Sequence, residues 1–223
     1  MTKKTVVILL QESKDNTDIL EYLNKLGDHF SFVVYKGSRG DPFPDLQYIP
    51  SVDILVSYLS PWIVSQETLD KTKLWNINFH TGGPDFPGIG CTNFAIYEGK
   101  KEYGVTAHLM KAKVDTGKIL NVRRFPIASN ETVYTLTQKS YLNLTIVFYD
   151  VFNYIVKHGD IPSCSEKWSR EPFRRTQLED LCKITPDMSK DEIYRRIKAT
   201  DYPGMPGAYI ELDGIKFTPN YTR

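Results

Sequence analysis

The chain has few cysteines, almost no net charge and no long apolar run. Cys91, Cys164 and Cys182 are its three cysteines, and they form neither a CxxC motif nor any paired spacing. That pattern predicts a reducing compartment and no disulfide framework. Lys and Arg number 28 against 27 Asp and Glu, a formal net charge of +1 over 223 residues. No basic field marks a dedicated nucleic-acid binder, so nucleic acid is not an expected partner. The apolar run near the start is only six residues, too short for a signal sequence. No later run approaches the length of a membrane span, so no membrane contact is expected and a soluble, cytoplasmic protein is predicted. The chain also lacks GxSxG, HExxH and, after its first apolar run, GxGxxG, where it reads QESKDN instead. These absences argue against a serine hydrolase, a zincin and a Rossmann dinucleotide site.

What is present is an alternation of strand and helix patterns. Residues 5–10, TVVILL, are continuously apolar and β-branched, the signature of a strand buried on both faces of a parallel sheet. Helical spacing follows over residues 18–26, then strands over 30–35 and 54–58, with a Gly/Pro loop over 37–50 between them. A short helix is predicted over 64–69, a fourth strand over 75–79, a Gly/Pro loop over 81–90, and a helix over 92–98. Two more strands are expected over 104–110 and 119–125, and a long amphipathic helix over 133–157. The expected fold class is therefore α/β, with a Rossmann-like sheet. From residue 159 the chain is polar and turn-rich. A short helix with Ser189 as N-cap and Glu192 completing a capping box is expected there. AYIELDGIKF, residues 208–217, reads as a hairpin turning at Asp213 and Gly214. We divide the chain at 1–158 for the core and 159–223 for a small extension of helix plus β-hairpin.

The chemistry concentrates between residues 75 and 120. Asn78 and His80 stand two apart on a strand and so share one face, an amide donor beside an imidazole. Asp115 sits in a turn before the next strand pair, flanked by Gly117. This set suits acyl transfer: Asn78 for an oxyanion, His80 as base, Asp115 to orient and tune it. A strand-end His and an Asp-x-Gly turn are also common structural features. A metal site on His80, His108 and Asp115 lacks the usual ligand spacing, so no metal is expected. Cys91, near a helix start, is a candidate thiolate, although a packed small residue is the simpler reading.

NINFH, the Gly/Pro loop after it, YGVTAHLM and VDTGKIL together resemble the formyltransferases that use N10-formyltetrahydrofolate. That family includes glycinamide ribonucleotide transformylase, methionyl-tRNA formyltransferase and the sugar N-formyltransferases. The likeness extends over most of residues 1–125, and its specificity lies in the order and spacing of the motifs. It implies a formyltransferase core of mixed sheet, a catalytic trio on Asn78, His80 and Asp115, and His108 in a supporting role. It also implies a pterin pocket walled by Leu59, Trp62 and Ile63 on one side and Lys113 and Val114 on the other.

The loop TGGPDFPG replaces the Ser-Leu-Leu-Pro of the tRNA and purine enzymes, and only a short extension follows the long helix. The chain is therefore most similar to the short sugar-nucleotide N-formyltransferases, which act on nucleotide-linked amino-dideoxy sugars for surface glycans. On that basis the acceptor is expected over Gly82, Pro84 and Gly88. Its base is expected against Trp168, Phe173 or Tyr209, and its diphosphate near Arg170, Arg174 or Lys216. The C-terminal hairpin is expected to pair two subunits as a homodimer. Two other readings stay open at this point, a transformylase of purine synthesis and a non-catalytic folate or sugar-nucleotide binding protein.

Overall fold

The structure is a computed structural model that describes residues 3–12 and 14–218. The first two residues and Ser13 of the expected core, and the last five of the expected extension, lie outside the described residues. Fifteen elements follow one another: β1 (Lys4–Gln11), α1 (Thr17–Lys25), β2 (Phe30–Gly37), β3 (Ile54–Tyr58), α2 (Gln66–Lys71), β4 (Trp75–His80), α3 (Cys91–Tyr97), β5 (Glu102–Leu109), β6 (Ile119–Pro126), α4 (Val133–His158), α5 (Arg175–Cys182), β7 (Lys183–Ile184), α6 (Lys190–Thr200), β8 (Tyr209–Leu212) and β9 (Ile215–Phe217).

Six strands make one sheet in the order β2-β1-β3-β4-β5-β6. The first four run parallel, and β5 and β6 are antiparallel additions. The continuous apolar run of β1 has the double burial that its sequence predicts. Val6, Ile8 and Leu10 enter one core cluster, and Val7 and Leu9 enter the other, so both faces are covered. α1 and α4 cover the first face. Phe148 of α4 is its aromatic centre, with ring centroids 4.9 Å from Phe79, 4.7 Å from Phe152 and 5.4 Å from Tyr58.

α4 begins at a reciprocal cap. Thr132 Oγ1 accepts from the Thr135 backbone N–H at 3.1 Å, and Thr135 Oγ1 accepts from the Thr132 N–H at 2.9 Å. Gly159 closes the helix in the left-handed conformation. Replacing Thr132 with Ala leaves the Thr135 N–H without its side-chain acceptor. A loss of about 1 kcal/mol is expected in urea unfolding, and an unchanged midpoint would contradict this account of the cap.

Two local expectations change. The helix expected from residue 64 starts two residues later, because Ser65 is the N-cap, accepting from Thr68 N–H at 3.2 Å. At α6, Ser189 caps the Glu192 N–H at 3.2 Å, but the Glu192 carboxylate does not return to close a box. It accepts instead from Tyr97 Oη at 2.7 Å and Arg196 Nε at 2.6 Å. The Tyr97 bond contributes to docking α6 onto α3. The extension also contains α5 and β7, which the sequence reading passed over. The hairpin turns at Asp213 and Gly214, with φ of 50° and 78°, as a two-residue turn of the primed type requires. β8 and β9 join β7 in a second, three-stranded sheet.

Candidate active site

β4 ends at the carboxyl rim of the sheet and carries Asn78 and His80. β5 runs antiparallel beside it in a register that sets His108 directly opposite Asn78. The Asn78 Nδ2 to His108 Nε2 distance is 3.1 Å. A bulge at Ala107 and His108 marks the pairing of β5 with β6, and bulges re-aim side chains where they occur. After β5 the chain turns through Asp115, held at φ 48° in the left-handed region. Such strain persists only where surroundings enforce it.

Here the surroundings are two N–H donors and two histidine rings. Asp115 Oδ1 faces His108 Nε2 at 3.1 Å and accepts from Asn78 Nδ2 at 3.4 Å. Oδ2 accepts from the Gly88 N–H at 2.8 Å and faces His80 Nδ1 at 3.4 Å. The carboxylate is 8% exposed and His108 is 1% exposed. Burial by itself pushes the Asp115 carboxyl up. The facing His80, the hydrogen bond and charge of His108, and the Gly88 N–H together override it and hold the group well below the usual carboxylate range.

Asp115 is thus the hub of the site, and His108 touches it more closely than His80 does. Sequence reasoning gave His108 a supporting role without placing it between Asn78 and Asp115. The missing signal is the antiparallel register, which no residue spacing encodes. Each nitrogen of His80 also faces an oxygen, Nδ1 toward Asp115 and Nε2 toward the Phe86 carbonyl at 3.0 Å. A neutral ring donates to one of them, a doubly protonated ring to both.

Two glycines let these pieces approach. Gly88 adopts φ +89°, and a Cβ there would lie 2.3 Å from the Phe173 carbonyl oxygen. At Gly117 a Cβ would lie 1.7 Å from the Leu109 carbonyl oxygen, which is backbone and has no room to give. Only glycine lets the Asp115 turn close against β5.

A cavity of about 410 Å³ opens beside the cluster and is lined by Asn78, His80, His108 and Asp115 together with Leu59, Trp62, Ile63 and Val114. The structure therefore brings together the trio and four of the five residues expected to wall a pterin. Lys113 lies outside the lining and pairs with Glu171.

The expected acceptor residues are placed differently. Gly82 and Pro84 are buried. The Gly82 carbonyl accepts from Thr106 Oγ1 at 2.9 Å, and the Pro84 carbonyl accepts from Ser169 N–H at 3.0 Å. Gly88, which lines the cavity, is the one that reaches the site, through its N–H. Trp168 stands with its ring edge-on to His108 and His80, at centroid distances of 5.1 and 6.1 Å, and its Nε1 donates to the Gly117 carbonyl at 2.8 Å. Phe173 stacks on Phe94 at 3.8 Å. Arg170 pairs with Glu98 at 2.6 Å. Arg174 is exposed before α5, and Tyr209 lies in β8 under the Lys216 ammonium. None of these last four lines the cavity. Cys91 is buried, and burial pushes its thiol up, which disfavours a thiolate. Among the described residues no cluster of three or more His, Cys, Asp or Glu is arranged to hold a metal ion, and no helix is long and apolar enough to cross a membrane.

Residues 46–146, which include all four polar groups of the cluster, match the family described as Formyl transferase. That stretch is just under half of the chain, and it holds the whole β4–β6 part of the sheet. Over 163 residues the chain is 29% identical to the bifunctional polymyxin resistance protein ArnA of Wigglesworthia glossinidia brevipalpis, covering 72% of this chain and 24% of that protein. The chain thus spans about a quarter of the length of that curated relative.

Among solved structures, a sugar N-formyltransferase from Shewanella superposes with a TM-score of 0.78 at 18% identity, covering 98% of this chain and 97% of that one. An N-formyltransferase from Helicobacter canadensis, in complex with folinic acid and dTDP-3-aminofucose, gives 0.70 at 20% identity, covering 96% and 86%. These likenesses establish the formyltransferase fold, built on a six-stranded mixed sheet.

Proposed function

We propose that this formyltransferase moves a formyl group from N10-formyltetrahydrofolate to the amine of a nucleotide-linked amino-dideoxy sugar, dTDP-4-amino-4,6-dideoxyglucose in the first instance, for O-antigen or another surface glycan. The observation that carries the reading is the cavity itself. It sets an amide, two imidazoles and one ionised carboxylate beside an apolar wall of Leu59, Trp62, Ile63 and Val114. An apolar slot with a few convergent polar groups suits a flat heterocycle whose reactive atom must be oriented. The likeness to an enzyme bound to folinic acid and a dTDP-linked amino sugar supports the same pair of substrates.

The reaction follows from the geometry. The neutral sugar amine attacks the formyl carbon, forming a C–N bond and a tetrahedral oxyanion. Asn78 Nδ2 turns one of its two N–H bonds to that oxygen. With Nδ1–H donated to Asp115, Nε2 of His80 carries a lone pair and takes the amine proton. Nε2 faces the Phe86 carbonyl at 3.0 Å, so the ring turns it toward the amine to take the proton. Collapse breaks the bond to N10, and His80 returns the proton there, which leaves tetrahydrofolate and the sugar formamide. Asp115 stays ionised throughout and holds both histidines in place. The reaction as drawn uses no metal or nicotinamide.

The hairpin suits a homodimer contact, because Leu212, Ile215 and Phe217 expose 56%, 61% and 54% of their surface. The purified protein is to be offered N10-formyltetrahydrofolate with dTDP-, UDP- and GDP-linked amino sugars, and glycinamide ribonucleotide beside them. Formylation of an amino-sugar nucleotide is expected. Formylation of glycinamide ribonucleotide alone, or of nothing, overturns the reading.

A further inference from the structure

The active-site cavity runs across the carboxyl rim of the sheet from one face to the other. On one side Trp62 and Met110 line it while packing with Val7, Leu9 and Leu55. On the other its lining includes Tyr141 of α4, the helix whose Leu144 and Phe148 pack on the opposite face, and Gln11 at the end of β1. A folate seated against Leu59, Trp62, Ile63 and Val114 leaves the Tyr141 side for the second substrate.

That side has the chemistry of a nucleotide. Lys14 is half-buried, and its ammonium lies 4.5 Å from the centre of the Tyr141 ring. Among the described residues it enters no ion pair. Asp15, next in the chain, turns its carboxylate onto the Thr17 N–H at 3.0 Å. Asn16 Nδ2 donates to the carbonyls of Gln11 at 2.9 Å and Lys14 at 3.0 Å. Tyr202 lies close enough that its phenol feels both Tyr141 and Lys14, and it meets Tyr134 edge-on at 5.7 Å. A half-buried ammonium with no ion pair among the described residues, set over the ring of a cavity-lining tyrosine, matches an aryl group joined to an anion.

We infer that Lys14 and Tyr141 form the acceptor's nucleotide subsite, with Lys14 on the diphosphate and Tyr141, backed by Tyr202, against the base. The inference rests on the proposed reading that the acceptor is nucleotide-linked. It moves the nucleotide from the extension, where the sequence pointed, to the loop after β1 and the middle of α4.

The test is calorimetric titration of dTDP, UDP and GDP into the wild type and into Lys14→Gln, Lys14→Arg and Tyr141→Ala, with 5-formyltetrahydrofolate titrated into each as the check of a folded folate site. At least one diphosphate is expected to bind the wild type. Its dissociation constant is expected to rise about tenfold or more in Lys14→Gln and in Tyr141→Ala, while Lys14→Arg stays close to wild type. Added salt weakens binding to the wild type more steeply than to Lys14→Gln. Equal nucleotide affinity in wild type and Lys14→Gln, with folate binding intact, overturns the subsite and leaves the proposed function standing. No nucleotide binding by the wild type overturns the nucleotide-linked acceptor and the subsite with it. Should Lys14→Gln lose folate binding as well, the decision passes to Tyr141→Ala and the salt dependence of the wild type.

Discussion

Asp115→Asn is expected to slow formyl transfer at least about 100-fold while leaving a folded protein. The carboxylate accepts from Asn78 Nδ2 and the Gly88 N–H and faces a ring nitrogen of His80 and one of His108. The Asn side chain presents one oxygen and one NH2 group in its place, so an N–H is turned toward at least one of those donors. The histidines lose the fixed charge that orients them, and His80 loses its counter-ion when it takes the amine proton.

The same substitution changes the acid limb of stability. The carboxyl is held below its ordinary 3.8 in the folded state. Its contribution is therefore complete above about pH 4 and is lost as pH falls toward the folded value, where the unfolded chain binds the proton first. Unfolding of the wild type should steepen with acid between about pH 4 and pH 2, and that of Asp115→Asn should steepen less. Parallel acid curves would contradict the charged hub, whatever the activity shows.

Trp168→Ala is expected to lower kcat about 10- to 100-fold with a much smaller change in the folate KM. Trp168 touches both histidine rings edge-on and ties the Asp115 turn to the extension through the Gly117 carbonyl. The segment that carries it is fixed to the glycine loop at three backbone bonds: Ser169 N–H to Pro84, Phe173 N–H to Pro87, and Ile89 N–H to Phe173. The extension therefore holds the far side of the reacting cluster. Trp168 acts here as a positioning residue, since it reaches the reaction only through His80, His108 and Asp115. Trp168→Phe keeps a ring against the histidines and deletes the indole N–H, so it should fall between wild type and Trp168→Ala. A merely structural role predicts lower stability with kcat and its pH profile unmoved at a temperature where the variant is folded. That outcome would remove Trp168 from the catalytic account.

The fold was legible where burial is periodic. TVVILL announced a strand covered on both faces, and the spacing of Leu136, Leu144, Val147 and Val151 announced α4. Asp213 and Gly214 announced a tight turn, because few other pairs accept positive φ at both positions. α5 was not legible. RTQLEDLC buries only Leu181, so its pattern has no apolar stripe to detect. Asn78 and His80 could be paired from strand periodicity alone, and Asp115 from the glycine beside it. The contact of His108 with Asp115, and those of Trp168 with both histidine rings and the Gly117 carbonyl, depend on the β4–β5 register and on how residues 168–173 dock, which are tertiary facts. Lys14 and Tyr141, 127 residues apart in sequence, meet only because the middle of α4 packs beside the loop that follows β1.

The most direct test of the cluster follows a carbon label in the formyl group of N10-formyltetrahydrofolate by NMR, in the presence of a nucleotide-linked amino sugar, for wild type and His80→Ala. The account predicts that the label moves to a sugar formamide in the wild type and stays on the folate with His80→Ala. Transfer at the same rate in both proteins, or a label that stays on the folate in both, would contradict it.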